Sequence, residues 1–266
     1  MIKVRKIKFE FPDDIPFYFN PLNREASVLA NTLSFLAPAF ERFFIRGIRA
    51  AMPKVSSAAV REEADLFCKQ EGQHSKIHID HQNMLLRKYP SLESARDRVN
   101  ASYAHLLESE PNAYALAYAT NIELAFKPMA RYLVENRHHL FGDGDPRISS
   151  FILWHFVEEF EHRSAMFNVY QDVVGDYLFR MKTVKRTRQH VSKLGGEVLA
   201  AMAACEPLPE TTAEGSISRW SRLKLALGLL ETSSPFHNPE SGGEPKWITD
   251  WLRAEESGDD MRIIRL

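Results

Sequence analysis

Two stretches of sequence decide the fold: LFCKQEGQHSKIH at residues 66–78 and WHFVEEFEHRSAMF at residues 154–167. Both contain a glutamate followed three positions later by a histidine, and the two pairs are Glu71–His74 and Glu159–His162. Residues three apart on a helix project from the same face, so the side chains of each pair can reach one point in space. Aromatic and aliphatic residues flank both pairs, which indicates helices that are buried in a core.

Two more apolar segments each carry a single glutamate, Glu41 in LAPAFERFFIRG at 36–47 and Glu123 in ATNIELAFKP at 119–128. The order along the chain is therefore Glu, Glu-x-x-His, Glu, Glu-x-x-His, which is the ligand set of a helical bundle that holds two metal ions. Four carboxylates balance the charge of two divalent cations, whereas without metal they would repel one another in an apolar core. The candidate metal ligands are Glu41, Glu71, His74, Glu123, Glu159 and His162.

The alternative is that these residues serve only the packing of the core. About one Glu-x-x-His match is expected by chance in such a chain, and we interpret Glu135–His138, in a polar stretch, as solvated surface. Either apolar pair alone is equally compatible with a structural role. Glutamate is almost never buried unless it is paired or liganded, so four glutamates in order on apolar helices favour a metal site.

Three further groups share or border the same helix faces, and we treat His78, His155 and Glu158 as candidate catalytic residues. His78 lies four residues after His74, and His155 lies four residues before Glu159. Each of these two histidines is a candidate ligand, or a core histidine that supports a ligand from behind. Glu158 borders the ligand face. Its alternative role is an ion pair with a basic side chain. We expect His81 at the surface.

Composition excludes several classes of function. The chain has 266 residues and a formal net charge of −1, so there is no electrostatic case for nucleic-acid binding. Its two cysteines have no CxxC partner and fit a reducing cytoplasm. The opening MIKVRKIKFEF lacks the apolar core of a signal peptide, and no charge-free apolar run is long enough to suggest a membrane span. Walker, GxGxxG, GxSxG and HExxH motifs are also absent from the sequence.

Proline positions and apolar periodicity predict an all-α protein with four core helices plus extra helices and a short extended N-terminal arm. One helix is expected over residues 25–51 with a kink at Pro38, and another runs unbroken over residues 147–174. We divide the chain into the arm at 1–24, the metal-binding bundle at 25–205, and a C-terminal helix and loose tail packed on the bundle at 206–266.

Four motifs resemble those of a bacterial family described as predicted metal-dependent hydrolases. They are AFERFF, QEGQH, NIELAF and WHFVEEFEH, and the resembling stretch runs over about residues 20–205. The resemblance implies hydrolysis. The same residues are also similar to the ligand set of ferritin-like di-iron carboxylate proteins, whose activities are mostly oxygen chemistry, and this implies a ferritin-like helical bundle.

The ferritin-like similarity also implies roles for the individual ligands. Glu71 and Glu159 would bridge the two metals, the histidine of each pair would bind one of them, and Glu41 and Glu123 would be terminal ligands. The extra histidines at 78 and 155 depart from the simplest ferritin pattern. They keep open the related helical di-iron fold that resembles haem oxygenase.

On this basis the sequence favours a di-iron enzyme that activates dioxygen to oxidise a small, largely apolar organic substrate. Carboxylate and imidazole ligands suit iron, with manganese as a possible substitute, and no thiolate lies near the motifs to favour zinc. Aromatic residues around the motifs predict an apolar pocket. Such an enzyme requires two iron ions, dioxygen as co-substrate and an electron donor.

Two alternatives stay open. The first is a metal-dependent hydrolase in which a metal-bound water attacks an ester or phosphate, with one of the three candidate catalytic residues as base. The second is a non-catalytic metal-binding or metal-storing helical protein. We expect a cytoplasmic protein, with a homodimer as one possible assembly.

Overall fold

The structure is a computed structural model that describes residues 2–207, 217–264 and 266. Over these residues the regular structure is helical and contains no strand, which confirms the all-α prediction. The helices are α1 Arg24–Ala51, α2 Ala58–Lys88, α3 Glu93–Ser109, α4 Asn112–Glu135, α5 Arg137–Phe141, α6 Pro146–Glu161, α7 Ala165–Val173, α8 Tyr177–Cys205, α9 Arg219–Glu231 and α10 Lys246–Glu256. Short 3-10 turns follow α1 at Met52–Lys54 and precede α3 at Pro90–Leu92.

The core of the bundle lies between the helices that carry the sequence motifs. α1 packs along α2, and α4 packs against α1, α6 and α7. α8 covers α4 and α1 from outside, and α9 lies against α4. The interior is strongly aromatic, and each fully buried aromatic ring contributes about 2 to 3 kcal/mol of transfer free energy. Large side chains that are almost fully buried include Phe35, Phe43, Phe44, Phe67, Phe151 and Trp154.

α1 begins where the Asn23 side chain accepts a hydrogen bond from the Ala26 amide, and it continues through Pro38. Because proline has no N–H, the Ser34 carbonyl one turn earlier loses its helical donor. Gln82 of α2 replaces that donor, with its Nε2 donating to the Ser34 carbonyl at 3.2 Å. The hydrogen bond from Gln82 to the carbonyl that Pro38 leaves free therefore connects α1 to α2 close to Glu41.

The prediction of an unbroken helix over residues 147–174 is wrong. α6 ends at Glu161, His162 is its C-cap, and α7 begins at Ala165. Arg163 stabilises the break, because its guanidinium donates to the Phe160 carbonyl at 2.6 Å and so satisfies a terminal group of the helix. Apolar residues continue on both sides of the break, so periodicity alone does not reveal it. The second Glu-x-x-His pair consequently lies at a helix end and not in mid-helix.

Residues 2–11 of the N-terminal arm contain neither helix nor strand, and the aromatic rings of the arm cover α6. The Phe9 ring lies 5.4 Å from Trp154 and 5.8 Å from Phe151, centroid to centroid. Phe11 lies 5.1 Å from the His81 ring. The expectation that His81 is a surface residue is therefore wrong, because the arm covers it and leaves 1% of it exposed.

The C-terminal region contains more regular structure than the loose tail that we expected. α10 places Trp251 against the core with 3% exposure. Trp247 is partly buried against the core, with the Arg137 guanidinium 5.5 Å above its ring. The two tryptophans therefore anchor a helix and not an irregular segment.

One helical stretch of the described residues, Arg24–Lys54, is long and apolar enough to cross a membrane by length and composition. Within its most apolar window, 78% of the residues are buried inside the protein. That burial agrees with the place of α1 in the centre of the bundle.

Packing of the arm predicts a stability effect. Phe9→Ala should lower the free energy of unfolding by about 3 kcal/mol or more, because the change leaves a cavity over α6. Lys8→Ala, at the neighbouring exposed position, is the matched control and should change stability by less than about 0.5 kcal/mol. Urea unfolding followed by circular dichroism measures both, and equal small effects would show that the arm does not pack as described.

Candidate metal centre

The six predicted metal ligands all lie in the interior, and the four helices α1, α2, α4 and α6 with its C-cap supply them. None of the six is more than 1% exposed. The two flanking histidines, His78 and His155, are also fully buried. Eight ionisable side chains that are far apart in sequence are thus gathered in one apolar core.

The first cluster consists of both Glu-x-x-His pairs. One ligand atom from each of its four residues lies within 4.8 Å of the others, and the members are Glu71, His74, Glu159 and His162. His162 Nε2 lies 3.2 Å from Glu71 Oε1, and His74 Nδ1 lies 3.4 Å from Glu159 Oε1. Glu123 joins at the edge, with its Oε2 3.3 Å from His162 Nδ1.

A second cluster adjoins the first and consists of Glu41, His78 and His155, whose ligand atoms also lie within 4.8 Å of one another. His78 Nε2 lies 2.8 Å from His155 Nδ1. The other nitrogen of His155, Nε2, lies 2.9 Å from Glu159 Oε1 and so connects the two clusters. The structure therefore places both candidate histidines at the centre rather than elsewhere in the core.

Most of the candidate ligand atoms at this centre have no hydrogen-bond partner in the described part of the chain. This holds for both carboxylate oxygens of Glu41, Glu71, Glu123 and Glu159, and for His74 Nδ1, His155 Nε2 and both nitrogens of His162. Several of them approach one another within ion-pair distance, but without hydrogen-bond geometry. A buried polar group without a partner costs about 1 to 3 kcal/mol. Divalent cations would satisfy all of these atoms at once, so the donor set fits a metal centre.

Burial and mutual repulsion raise the pKa values of three carboxyl groups at the centre. Burial, followed by repulsion from Glu71, raises the pKa of both Glu41 and Glu123 well above the usual value. Burial is also the largest cause at Glu159, whose carboxyl pKa rises from 4.5 to about 8. In the absence of metal, protons therefore occupy part of the site in place of cations.

The pKa values of three buried histidines at the centre shift in two opposite directions. Burial lowers the pKa of His78 and His155 well below 6.5, and the nearby charge of His74 adds to the effect. At His74 itself burial also acts downward, but the hydrogen bond with Glu158 and the close approach of the Glu159 and Glu71 carboxylates outweigh it and raise the pKa well above 6.5. The two flanking histidines are consequently neutral at physiological pH, which is the form that binds metal.

Glu158 does not enter either cluster. Its Oε2 lies 3.1 Å from His74 Nε2, on the side of the ring that faces away from the other ligands. Its Oε1 accepts a hydrogen bond from the Arg5 guanidinium at 3.0 Å. The sequence left Glu158 as a candidate catalytic residue or as the partner of a basic side chain, and in the structure it pairs with Arg5. A carboxylate behind a ligating histidine fixes the ring and its tautomer.

Two residues at the site went unrecognised in the sequence. One is Arg5, which nothing in the local pattern separates from the neighbouring basic residues of the arm. The other is Ser34, whose Oγ lies 2.9 Å from His78 Nδ1 and 2.7 Å from His81 Nδ1. Both reach the centre through contacts that are distant in sequence, so periodicity carries no signal for them.

Aromatic rings enclose the two clusters. The edge of Trp154 lies against His74 at 5.0 Å, Phe67 against His162 at 4.8 Å, and Phe151 against His78 at 4.7 Å, between ring centroids. Phe40 and Phe44 stack nearby at 5.3 Å. A surface cavity of about 200 Å³ lies between α4 and α9, but no cluster residue lines it.

Comparison with protein families finds one match that covers most of the chain. Residues 3–240 match the family described as "Predicted metal-dependent hydrolase". A search of curated proteins and a search of solved structures each found no match. The likeness to ferritin-like proteins consequently rests on the ligand pattern alone.

The raised carboxyl pKa values predict how metal-free protein responds to pH. Between pH 6.5 and about 8, Glu159 is ionised in the unfolded chain but holds a proton in the folded one, so stability falls as pH rises. Below 6.5 the buried neutral histidines oppose this trend, because the unfolded chain takes up protons at those positions. Urea unfolding of chelator-treated protein across the interval measures the slope.

Glu159→Gln is the control for this experiment, and its slope should be shallower because one titrating group is lost. Saturation of the wild-type protein with a divalent metal should remove the decline, since bound carboxylates stay ionised. A metal-free stability that is constant or rises from pH 6.5 to about 8 would contradict the described burial of the carboxylates.

Proposed function

The chain belongs to the predicted metal-dependent hydrolase family, which its match over residues 3–240 shows, and from this premise we propose that it is a dinuclear metal-dependent hydrolase. The observation that carries the proposal is the set of buried carboxylate and imidazole atoms without hydrogen-bond partners in the described residues. The sequence alone favoured oxygen activation. The family match now weighs for hydrolysis, and we therefore place it first.

In this proposal Glu71, His74, Glu159 and His162 would hold the metal ions. Glu123 would add a carboxylate beside His162, and Glu41 would add one from the second cluster. Divalent cations bound there would supply Lewis acidity to a substrate oxygen and to a water molecule. Carboxylate and imidazole donors suit several such cations.

The second cluster supplies the candidate base. His155 presents Nε2 toward Glu159 Oε1 at 2.9 Å, and its Nδ1 shares a hydrogen bond with His78 Nε2 at 2.8 Å. His78 is held in turn by Ser34. We propose that His155 Nε2 accepts a proton at the centre, and that His78 and Ser34 orient its ring. Glu158 acts on His74 and not as the base.

The rings around the clusters define the class of substrate. Phe40 and Phe126 lie 5.9 Å apart, and Phe126 lies 6.2 Å from Phe156, between centroids. Such surroundings exclude bulk water and bind apolar groups. A small ester or phosphate ester with an apolar portion fits this environment. A cytoplasmic location, a homodimer and the three-part division of the chain stay predictions from the sequence.

Oxygen activation by two iron ions is the second candidate. The observation that favours it is a donor set of carboxylates and imidazoles alone: the two cysteines of the chain belong to neither cluster. These ligands suit iron and manganese. Ferrous ions supply electrons to dioxygen, and sustained turnover would draw on an external electron donor.

Turnover separates the two candidates. Protein loaded with Zn²⁺ or Mn²⁺ under nitrogen should hydrolyse members of a panel of carboxylic and phosphate esters, and chelation should abolish the activity. Protein loaded with Fe²⁺ should consume no more oxygen than the same Fe²⁺ in buffer. Rapid, stoichiometric oxygen uptake together with an inert ester panel would overturn the hydrolase proposal in favour of the di-iron oxygenase. Metal binding with neither activity would leave a non-catalytic protein.

Variants test the residues that carry the proposal. Glu71→Ala should reduce hydrolysis by at least about a thousandfold, because a buried carboxylate that would hold metal at the first cluster is lost. Glu135→Ala is the matched control, since Glu135 belongs to the solvated Glu-x-x-His match and pairs only with surface cations. Its activity should equal that of the wild type. Equal activity in both variants, measured as initial rates at saturating metal, would exclude the assigned centre.

A further inference from the structure

Arg5 is an arginine of the N-terminal arm that lies almost completely inside the protein. Its residue exposure is 6%, although its neighbours Lys3 and Lys6 are exposed. Three carboxylates surround its guanidinium, and the partners are Glu158 at 3.0 Å, Glu161 at 2.5 Å and Glu255 at 3.4 Å. The guanidinium also lies 5.5 Å above the Trp251 ring. A buried arginine with this many partners has a fixed position and orientation.

The contact with Glu158 continues to the metal centre. One oxygen of Glu158 accepts from Arg5, and the other lies 3.1 Å from His74 Nε2. The opposite ring nitrogen, His74 Nδ1, faces Glu71 and Glu159 at 3.6 and 3.4 Å. A hydrogen on Nε2 that is donated to Glu158 leaves the lone pair on Nδ1 pointing at the cluster.

We propose that Arg5 is a positioning residue for the metal centre: it holds the Glu158 carboxylate, which in turn fixes the tautomer and the orientation of His74. The inference rests on the metal site of the proposed function. It adds a residue from outside the four motifs, and it assigns the N-terminal arm a part in metal binding. Arg5 contacts no metal or substrate and acts only through Glu158.

The C-terminal helix takes part in the same arrangement. Glu255 of α10 contacts Arg5 and accepts two hydrogen bonds from Lys3, at 2.8 and 2.6 Å. Gln70 of α2 donates to Glu161 at 3.2 Å and to the Lys3 carbonyl at 3.0 Å. The arm is thus held between α2, α6 and α10, with the Arg5 side chain buried among them. In the described residues neither nitrogen of His162 has a hydrogen-bond partner, so we expect the effect on the His74 side of the centre.

A metal-affinity cycle tests the proposal on the full-length protein. The variants are Arg5→Gln, Glu158→Gln, the double variant and the control Glu135→Gln. Affinity for Co²⁺ is measured by competition with a chromogenic chelator, and the visible spectrum of the bound Co²⁺ reports its ligand geometry. Thermal melting of the metal-free forms separates loss of metal from loss of fold.

Arg5→Gln and Glu158→Gln should each weaken the affinity for one of the two Co²⁺ ions by about 10- to 100-fold and should change the spectrum. Because Arg5 acts through Glu158, the double variant should bind no more weakly than Glu158→Gln alone. Glu135→Gln should bind like the wild type, since Glu135 is exposed and pairs with Arg131 and Lys224, away from Arg5 and Glu158. Arg5→Lys, which keeps the cation, should recover part of the affinity and of the spectrum.

Unchanged affinity and spectrum in a folded Arg5→Gln protein would overturn the role of Arg5 while leaving the proposed centre intact. Multiplying losses in the double variant would also overturn it, since they would mean independent effects. If Arg5→Gln fails to fold, the comparison of Glu158→Gln with the double variant decides, because both lack the charged Glu158. A wild-type protein that binds no Co²⁺ would overturn the metal site of the proposed function, and the role of Arg5 with it.

Discussion

The structure depends on how the charge of four buried carboxylates is neutralised. These four glutamate side chains lie in an aromatic core and have no hydrogen-bond donor in the described residues. An ionised carboxylate in such surroundings costs several kcal/mol unless opposite charge or hydrogen bonds compensate it. Four of them together would exceed the 5 to 15 kcal/mol of stability that is typical of a folded domain. The core is therefore consistent only with protons or cations at these positions. The helices bring the carboxylates together, and only cations can neutralise them in their ionised form.

The surroundings of the two pair histidines are unequal. His74 is held from behind by Glu158 and Arg5, whereas both nitrogens of His162 lack a hydrogen-bond partner in the described residues. His162 also lies at the C-cap of α6, where the backbone leaves the helical conformation. The His74 side of the centre therefore has a hydrogen-bonded support behind its ring, whereas His162 is held by packing against Phe67 and by nearby carboxylates.

The sequence predicts which residues meet in the core better than it predicts their surroundings. Spacing of three within a helix and the order of the four motifs led to six buried residues, because helical geometry is local. Five of the six lie in the two clusters, and Glu123 lies beside His162. The break at His162 escaped detection, since a helix end without proline or glycine leaves no mark in apolar periodicity. The burial of His81 and the role of Arg5 depend on how the arm folds back over α6, across some 150 residues of chain. Such contacts are set by tertiary packing and have no counterpart in local pattern.

The most direct test of this account is the metal content of protein purified without added metal, measured by mass spectrometry of the bound elements against the protein concentration. The account predicts about two transition-metal ions per chain, which is the number that four carboxylates can neutralise. A content well below one ion per chain, in protein that remains folded and takes up no metal on addition, would contradict it.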